Sequence, residues 1–194
     1  MALELHTWRI VGVNGLILNN PAETLGAGGG GGGIAPAKKV YDDKEEARMR
    51  TYKNGKGEFV YLTAGFRAGI LTAASGRKIN KKAARMILAG SVFPAEDQFL
   101  ILDDKGKPVK GYEIHKAPVV VNKNRVLRCR PMFVPWSCLL PLEIDRDFIE
   151  NLDVITQILN ISGRIVGIGE LRPDTSGGKK GIGTNGRYAA ELVK

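Results

Sequence analysis

Three glycines near the C-terminus stand at the spacing of a dinucleotide-binding fingerprint. Gly181, Gly183 and Gly186 form G-x-G-x-x-G within GIGTNGRYAAELVK. In a Rossmann unit this pattern follows a strand and opens a helix, and an acidic residue stands about 20 residues later on the next strand. Only eight residues follow Gly186, too few for a helix and a strand. The sequence therefore predicts no dinucleotide cofactor, and it contains no G-x-x-x-x-G-K-[ST] P-loop.

The same glycines belong to a loop, at about 170–186, that is rich in positive charge. Glycines let backbone amides approach a phosphate or a base closely, because they carry no side chain. The pattern predicts an anion-binding loop, and a surface hairpin with solvated lysines is the alternative. The predicted contacts are the glycines Gly177, Gly178, Gly181, Gly183 and Gly186 and the cations Arg172, Lys179, Lys180 and Arg187.

The overall charge also indicates an anionic partner. Lysine and arginine number 29 against 20 aspartates and glutamates, which gives a net charge of +9 and a pI near 9.6. Such an excess favours nucleic acid, with a generally basic protein as the alternative. The cysteines are Cys129 and Cys138, without a C-x-x-C pair, which favours a reducing cytoplasm and argues against zinc. The sequence contains no apolar run of about 18 residues, so no membrane partner is predicted.

A second group of candidate residues lies on the longest extended segment, 125–144. Arg128 and Arg130 are expected on one face of this strand, about 7 Å apart, which is near the spacing of successive phosphates. Lys123 and Arg125 lead into them. The spacing predicts a basic strand that follows a nucleic-acid backbone. Prolines in the segment predict that it is bent, bulged or at a sheet edge.

Aromatic residues accompany this basic strand. Trp136 and Phe133 offer stacking surfaces, and basic residues interleaved with aromatics suit a single-strand platform because every base has a π-face. Packing in the core is the favoured alternative for both side chains. Trp136 is nevertheless a candidate contact for a nucleic-acid base.

Candidate catalytic groups are few. His6 and His115 lie on predicted strands, and a metal-free ribonuclease could use a histidine as general acid or base. A lone strand histidine is more often structural or exposed. No metal site and no catalytic residue is predicted, and a metal-independent ribonuclease stays open as an alternative.

The order of elements predicts an α+β fold in one domain, 1–194, with a ferredoxin-like, RRM-like antiparallel sheet and helices on one face. A six-glycine run predicts a flexible insertion at about 22–40. Asn80 is expected to cap a helix. The clearest helix pattern follows residue 145, where Phe148, Leu152 and Leu159 recur at helical spacing.

Several motifs together touch most of the chain apart from residues 22–57: NGLILNNP, FRAGILTAA, RVLRCRPMFVPW, GRIVGIGELRP and GRYAAELV. They resemble the RAMP superfamily, the RNA-recognition-motif-like backbone and processing subunits of CRISPR effector complexes, and above all its small stand-alone relatives in tailed bacteriophages. The resemblance implies binding of single-stranded nucleic acid along a basic groove, and subunits that stack into filaments. The poly-Gly tract and Tyr188 depart from the family pattern.

These observations favour a non-catalytic protein of phage origin that binds single-stranded DNA or RNA without sequence specificity and assembles along the strand. The alternatives are a guide-RNA-binding backbone subunit, an RNA-processing endonuclease, and a phage protein that mimics a CRISPR subunit to capture its partners. The choice between DNA and RNA stays open, because recognition of the 2′-hydroxyl depends on geometry.

Overall fold

The computed structural model describes residues 3–21, 42–121, 124–173 and 183–193, with only the backbone of 119–121 and 124–126. The predicted α+β class is confirmed, while the insertion predicted at 22–40 lies outside the described residues. The described strands are β1 (Leu3–Gly12), β2 (Leu16–Ile17), β3 (Val60–Leu62), β4 (Lys78–Ile79), β5 (Lys82–Ala83), β6 (Val92–Pro94), β7 (Gln98–Leu100), β8 (Glu113–Val121), β9 (Asn124–Phe133), β10 (Ser137–Asp145) and β11 (Tyr188–Leu192). The described helices are α1 (Asp43–Met49), α2 (Ala64–Ala73), α3 (Ala84–Ser91) and α4 (Asp153–Ile165).

Sheet 1 has the strand order β11-β1-β10-β6, and all its neighbours are antiparallel. Its inner face is set by alternation along the strands: Trp8 and Ile10 are buried, whereas the alternating residues Arg9 and Val11 are exposed. Helix α4 covers this inner face, where the Trp8 indole Nε1 donates a hydrogen bond to Thr156 Oγ1 at 2.9 Å. The outer face of sheet 1 carries no helix among the described residues.

Sheet 2 has the order β2-β9-β8 and is dominated by the long β8–β9 hairpin. The extended segment predicted at 125–144 is therefore two strands in two sheets. The chain leaves sheet 2 at Phe133 and enters sheet 1 at Ser137. A cis Val134–Pro135 peptide bond lies between them.

Helix α4 packs on β11 and on α2, with Ile155, Ile158 and Leu159 buried. Phe148 does not extend this apolar stripe as predicted, because the chain turns before the helix begins. Asp145 holds that turn: its carboxylate Oδ1 accepts from the backbone N–H of Asp147 at 3.0 Å. Phe148 is left 53% exposed. None of the helices in the described ranges is long and apolar enough to cross a membrane.

Candidate nucleic-acid interface

The two arginines predicted to follow a phosphate backbone are instead paired within the chain. Arg128 Nη1 lies 3.2 Å from Glu46 Oε1, and Arg130 Nη2 lies 3.9 Å from Glu170 Oε2. The Arg130 side chain is only 10% exposed. Both guanidinium groups therefore face carboxylates of this protein, and Nε and Nη1 of Arg130 are buried without a hydrogen-bond partner among the described residues. The role of these two arginines as phosphate contacts stays a prediction.

Glu46 is the residue that sequence reasoning missed. Its side chain is 6% exposed and accepts from Arg50 Nη2 at 3.3 Å, Arg128 Nη1 at 3.2 Å and the backbone N–H of Cys129 at 3.0 Å. It thereby joins α1 to β9. The i,i+4 spacing of Glu46 and Arg50 was a visible signal of a pair on one helix face, but nothing in the sequence linked that face to β9.

Trp136 is a core residue. It is 2% exposed, and its indole Nε1 donates to the Asn14 carbonyl at 2.7 Å. Gly12 packs so close to the ring that an added Cβ would lie 2.1 Å from Nε1. Phe133 is also buried, edge-on to Phe59. The alternative of core packing is confirmed for both side chains, and Trp136 is wrong as a stacking contact because no base can reach it.

The described glycines of the C-terminal loop approach the chain's own backbone. Gly186 has φ +66°, and an added Cβ would lie 1.7 Å from the Ile168 carbonyl oxygen. Its N–H donates to the Gly15 carbonyl at 2.8 Å. Gly183 is similarly crowded by the Leu171 carbonyl. The close approach at these two positions is made to neighbouring loops of the chain, and the Gly186 N–H is already engaged. Their contact with a ligand stays a prediction.

The remaining predicted contacts divide into two groups. Arg172 and Arg187 are partly buried close to Gly167 and Gly186, respectively. The others, and the side chain of Arg125, lie outside the described residues and stay predictions: Lys123, Gly177, Gly178, Lys179, Lys180 and Gly181.

Three strands of sheet 1, namely β1, β10 and β11, carry no aromatic platform on their outer face. RNA-recognition modules stack bases on aromatic side chains of an open sheet surface. The outward positions of β1 carry Leu5, Arg9 and Val11, and their neighbours on β10 and β11 are Leu139 and Glu191. Among the described outward residues of these three strands there is no aromatic ring. On the edge strand β6, Phe93 stands opposite Glu143, and Arg67 Cζ lies 4.8 Å from the centroid of its ring.

A dense run of exposed positive charge lies on the β4–β5 hairpin and the start of α3. No aspartate or glutamate stands between Glu58 and Glu96 in the sequence. None of the cations of this surface forms an ion pair within the described residues. The surface is called the basic hairpin below, and its cations are Arg77, Lys78, Lys81, Lys82 and Arg85, all exposed.

The chain forms the basic hairpin through a tight turn. Asn80 and Lys81 have φ of +49° and +67°, and positive φ at both central residues is the pattern of a type I′ turn between two strands. Asn80 is therefore a turn residue and not the helix cap that the sequence predicts. Two hydrogen bonds steady the arginines: Arg77 Nε donates to the Ala73 carbonyl, and Arg85 Nη1 donates to Ser75 Oγ.

An apolar groove adjoins the basic hairpin. A cavity of about 210 Å³ is lined by Lys82, Met86, Ile87, Gly90 and Phe148. Met86 is 68% exposed and Phe148 is 53% exposed. A cationic rim beside an exposed ring and a flexible thioether provides both charge for phosphates and a surface for a base.

The predicted histidines lie apart in the fold. His6 belongs to β1 in sheet 1, where its Nε2 is 3.1 Å from Glu4 Oε2, and His115 belongs to β8 in sheet 2. Neither histidine lines the groove beside the basic hairpin.

Comparisons with known proteins add no family assignment. No protein-family model matches the chain, and no curated protein is significantly similar to it. The resemblance to the RAMP superfamily therefore rests on the short motifs of the sequence.

Proposed function

We propose that this protein binds single-stranded nucleic acid through the basic hairpin. The observation that carries the proposal is the concentration of five exposed cations between Arg77 and Arg85, without an ion-pair partner in the described chain. Unneutralised cations that lie so close together attract the phosphates of a polyanion and release its counterions on binding. The backbone contacts make binding largely independent of sequence.

The groove beside the hairpin favours a single strand over a duplex. Phe148 exposes half of its surface next to Lys82, and an unstacked base can lie against that ring while its phosphate meets the lysine. In a duplex the bases are stacked on one another and present only their edges. Binding is therefore expected to be stronger for oligo-dT or oligo-rU than for a duplex of the same length.

We also propose that sheet 1 with α2 and α4 forms a ferredoxin-like unit and that the chain is a RAMP-like protein of the cytoplasm. The order β11-β1-β10-β6 supports this, since it is the order last, first, third, second of a β-α-β-β-α-β unit. The β8–β9 hairpin and the basic hairpin are then insertions that this unit carries. The small-residue contact of Gly69 with Ser162 brings the two helices together.

The test is equilibrium binding of fluorescent oligo-dT and oligo-rU to the wild type and to two double variants. Lys78→Ala/Lys82→Ala removes two cations of the basic hairpin, and Lys44→Ala/Lys56→Ala removes two exposed lysines elsewhere at the same cost in net charge. We expect weakening by about 10-fold or more in the first and less than about 2-fold in the second, because local contacts and not net charge hold the strand.

A Phe148→Leu variant tests the groove. Leucine keeps an apolar side chain but removes the π-face, and loss of one base–aromatic contact costs about 1–3 kcal/mol. Binding of the single strand should weaken by about 5-fold or more, whereas binding of duplex should not change.

Equal weakening by the two lysine double variants would contradict the assignment to the basic hairpin.

A further inference from the structure

A second cleft lies at the base of the β8–β9 hairpin, away from the basic hairpin. Its volume is about 570 Å³, within the range of about 300–1,000 Å³ for small-molecule sites. One side is the loop at 103–112, and the other is the end of β9 with the Val134–Pro135 peptide. The region is called the lysine cleft below.

The loop that forms one side of the lysine cleft is held rigidly. Asp103 Oδ1 accepts from the backbone N–H groups of Lys105 and Lys107 at 2.9 and 2.8 Å. The Asp103 carbonyl accepts from Ser137 Oγ at 3.0 Å, and Leu102 and Ser137 exchange two backbone hydrogen bonds of 2.8 Å. The backbone of the loop is thus fixed to β10, so little ordering of the loop backbone is needed on binding.

Three exposed lysines line the lysine cleft: Lys105, Lys107 and Lys110. Within the described chain none of them has an ion-pair partner, and the Asp103 carboxylate beside them is engaged by the turn amides. Glu113 also lines the cleft. Lysine ammonium groups on flexible stems act as point charges for phosphate.

The other side of the lysine cleft is apolar. Met132, Val134 and Pro135 line it, and Val134 is 51% exposed. Tyr112 stands at the boundary, and its ring is braced at right angles by Phe59 at a centroid distance of 5.6 Å. A flat ring can therefore lie against this wall and meet a rigid surface.

We propose that the lysine cleft binds a nucleotide, with its base against the apolar wall and its phosphates on the lysines. A bare phosphate needs no apolar wall, and an apolar molecule needs no lysines, so the pairing favours a ligand that has both parts. The nucleotide is either free or the phosphorylated end of a nucleic-acid strand.

This inference goes beyond the strand binding assigned to the basic hairpin, because the two sites are far apart. Pro135 of the lysine cleft precedes β10, and Phe148 beside the basic hairpin follows it. The nine residues of β10 span about 30 Å at about 3.4 Å per residue. A substitution at one site is therefore not expected to change binding at the other.

The experiment measures binding of AMP, ATP and tripolyphosphate by calorimetry in the full chain without magnesium. We compare the wild type with Lys105→Ala/Lys107→Ala, with Val134→Ser, and with the matched control Lys44→Ala/Lys56→Ala. The lysine-cleft double variant should bind ATP about 10-fold or more weakly, because it loses two charge-assisted contacts. Val134→Ser should weaken AMP and ATP but not tripolyphosphate, and the control should match the wild type.

Each result decides the proposal. No binding of AMP or ATP by the folded wild type overturns it, and so does tripolyphosphate binding as tightly as ATP, or equal loss in the control. Competition of ATP by 5′-phosphorylated but not by unphosphorylated oligo-dT identifies a strand end as the source, and absence of both competitions identifies a free nucleotide. The oligo-dT affinity of the same variants reports on the basic hairpin separately, so failure at one site is distinguishable from failure at the other.

Discussion

Replacing Glu46 by alanine tests whether the arginines near it are structural. The buried carboxylate accepts from Arg50, Arg128 and the backbone N–H of Cys129. Alanine removes the carboxylate that accepts all three hydrogen bonds and leaves two guanidinium groups close together without their counter-charge. Glu45 offers the control, because it is half-exposed and pairs only with Arg48 of the same helix among the described contacts.

The expected loss follows from burial. Removing one partner of a buried ion pair costs about 3–5 kcal/mol, and the lower end applies because the Arg128 side chain is 24% exposed and can regain some water. For a chain of this length, about 3 kcal/mol corresponds to a fall in Tm of about 6–12 °C. Glu45→Ala removes an exposed, solvent-screened pair, so its loss of stability should be much the smaller of the two.

The assay is thermal unfolding followed by circular dichroism, for Glu46→Ala, Glu45→Ala, Arg128→Ala and the Glu46→Ala/Arg128→Ala double variant. The double variant should lose less than the sum of the single variants, with a coupling energy of about 1 kcal/mol or more. Additive losses would refute the pairing. An Arg128→Ala variant that keeps its Tm but loses affinity for oligo-dT would refute the structural role and restore the arginine as a nucleic-acid contact.

Three further predictions follow from buried groups. Gly186→Ala should destabilise the fold by about 1–3 kcal/mol more than Gly106→Ala in urea unfolding, because both have positive φ but only Gly186 lies against another backbone. Native Cys129 and Cys138 should resist a thiol reagent until urea unfolds the chain, since burial raises the pKa of Cys129 to about 11 and also raises the pKa of Cys138. In the unfolded chain a thiol loses its proton near pH ~8.5, whereas the folded chain keeps it. The free energy of unfolding should therefore fall as the pH rises from about 8.5 toward about 11. Oligo-dT should quench the fluorescence of the two buried tryptophans by no more than roughly a few per cent, whereas a base stacked on Trp136 would quench its fluorescence strongly.

Local patterns in the sequence predicted much of the fold. The α+β class follows from the order of elements, and the helix after residue 145 follows from the apolar spacing of Leu152 and Leu159; both are present. Phe148 was misplaced because its spacing fits the helix stripe, while the turn that excludes it depends on the Asp145 carboxylate. The segment at 125–144 was misjudged because its division between two sheets depends on tertiary pairing.

The candidate site was less predictable. Arg128 is neutralised by a carboxylate 82 positions earlier in the chain, and no pattern of spacing reveals such a pair. The glycines of the C-terminal loop do allow close approach, but only the fold shows that the neighbour is Ile168 and not a ligand. The basic hairpin was visible as a charge run in the sequence. The sequence predicts a helix cap at Asn80 instead, and the lysines beside it then belong to an ordinary solvated helix face.

The salt dependence of oligo-dT binding tests the central claim most directly. For single strands the slope of log K against log salt is about −0.7 for each phosphate neutralised. Lys78→Ala/Lys82→Ala should therefore make the slope shallower by about 1.4 between about 50 and 200 mM salt, whatever other cations contribute to the total. The matched Lys44→Ala/Lys56→Ala variant should keep the wild-type slope. An unchanged slope in the hairpin variant, or an equal change in both, would contradict the assignment of the strand to the basic hairpin.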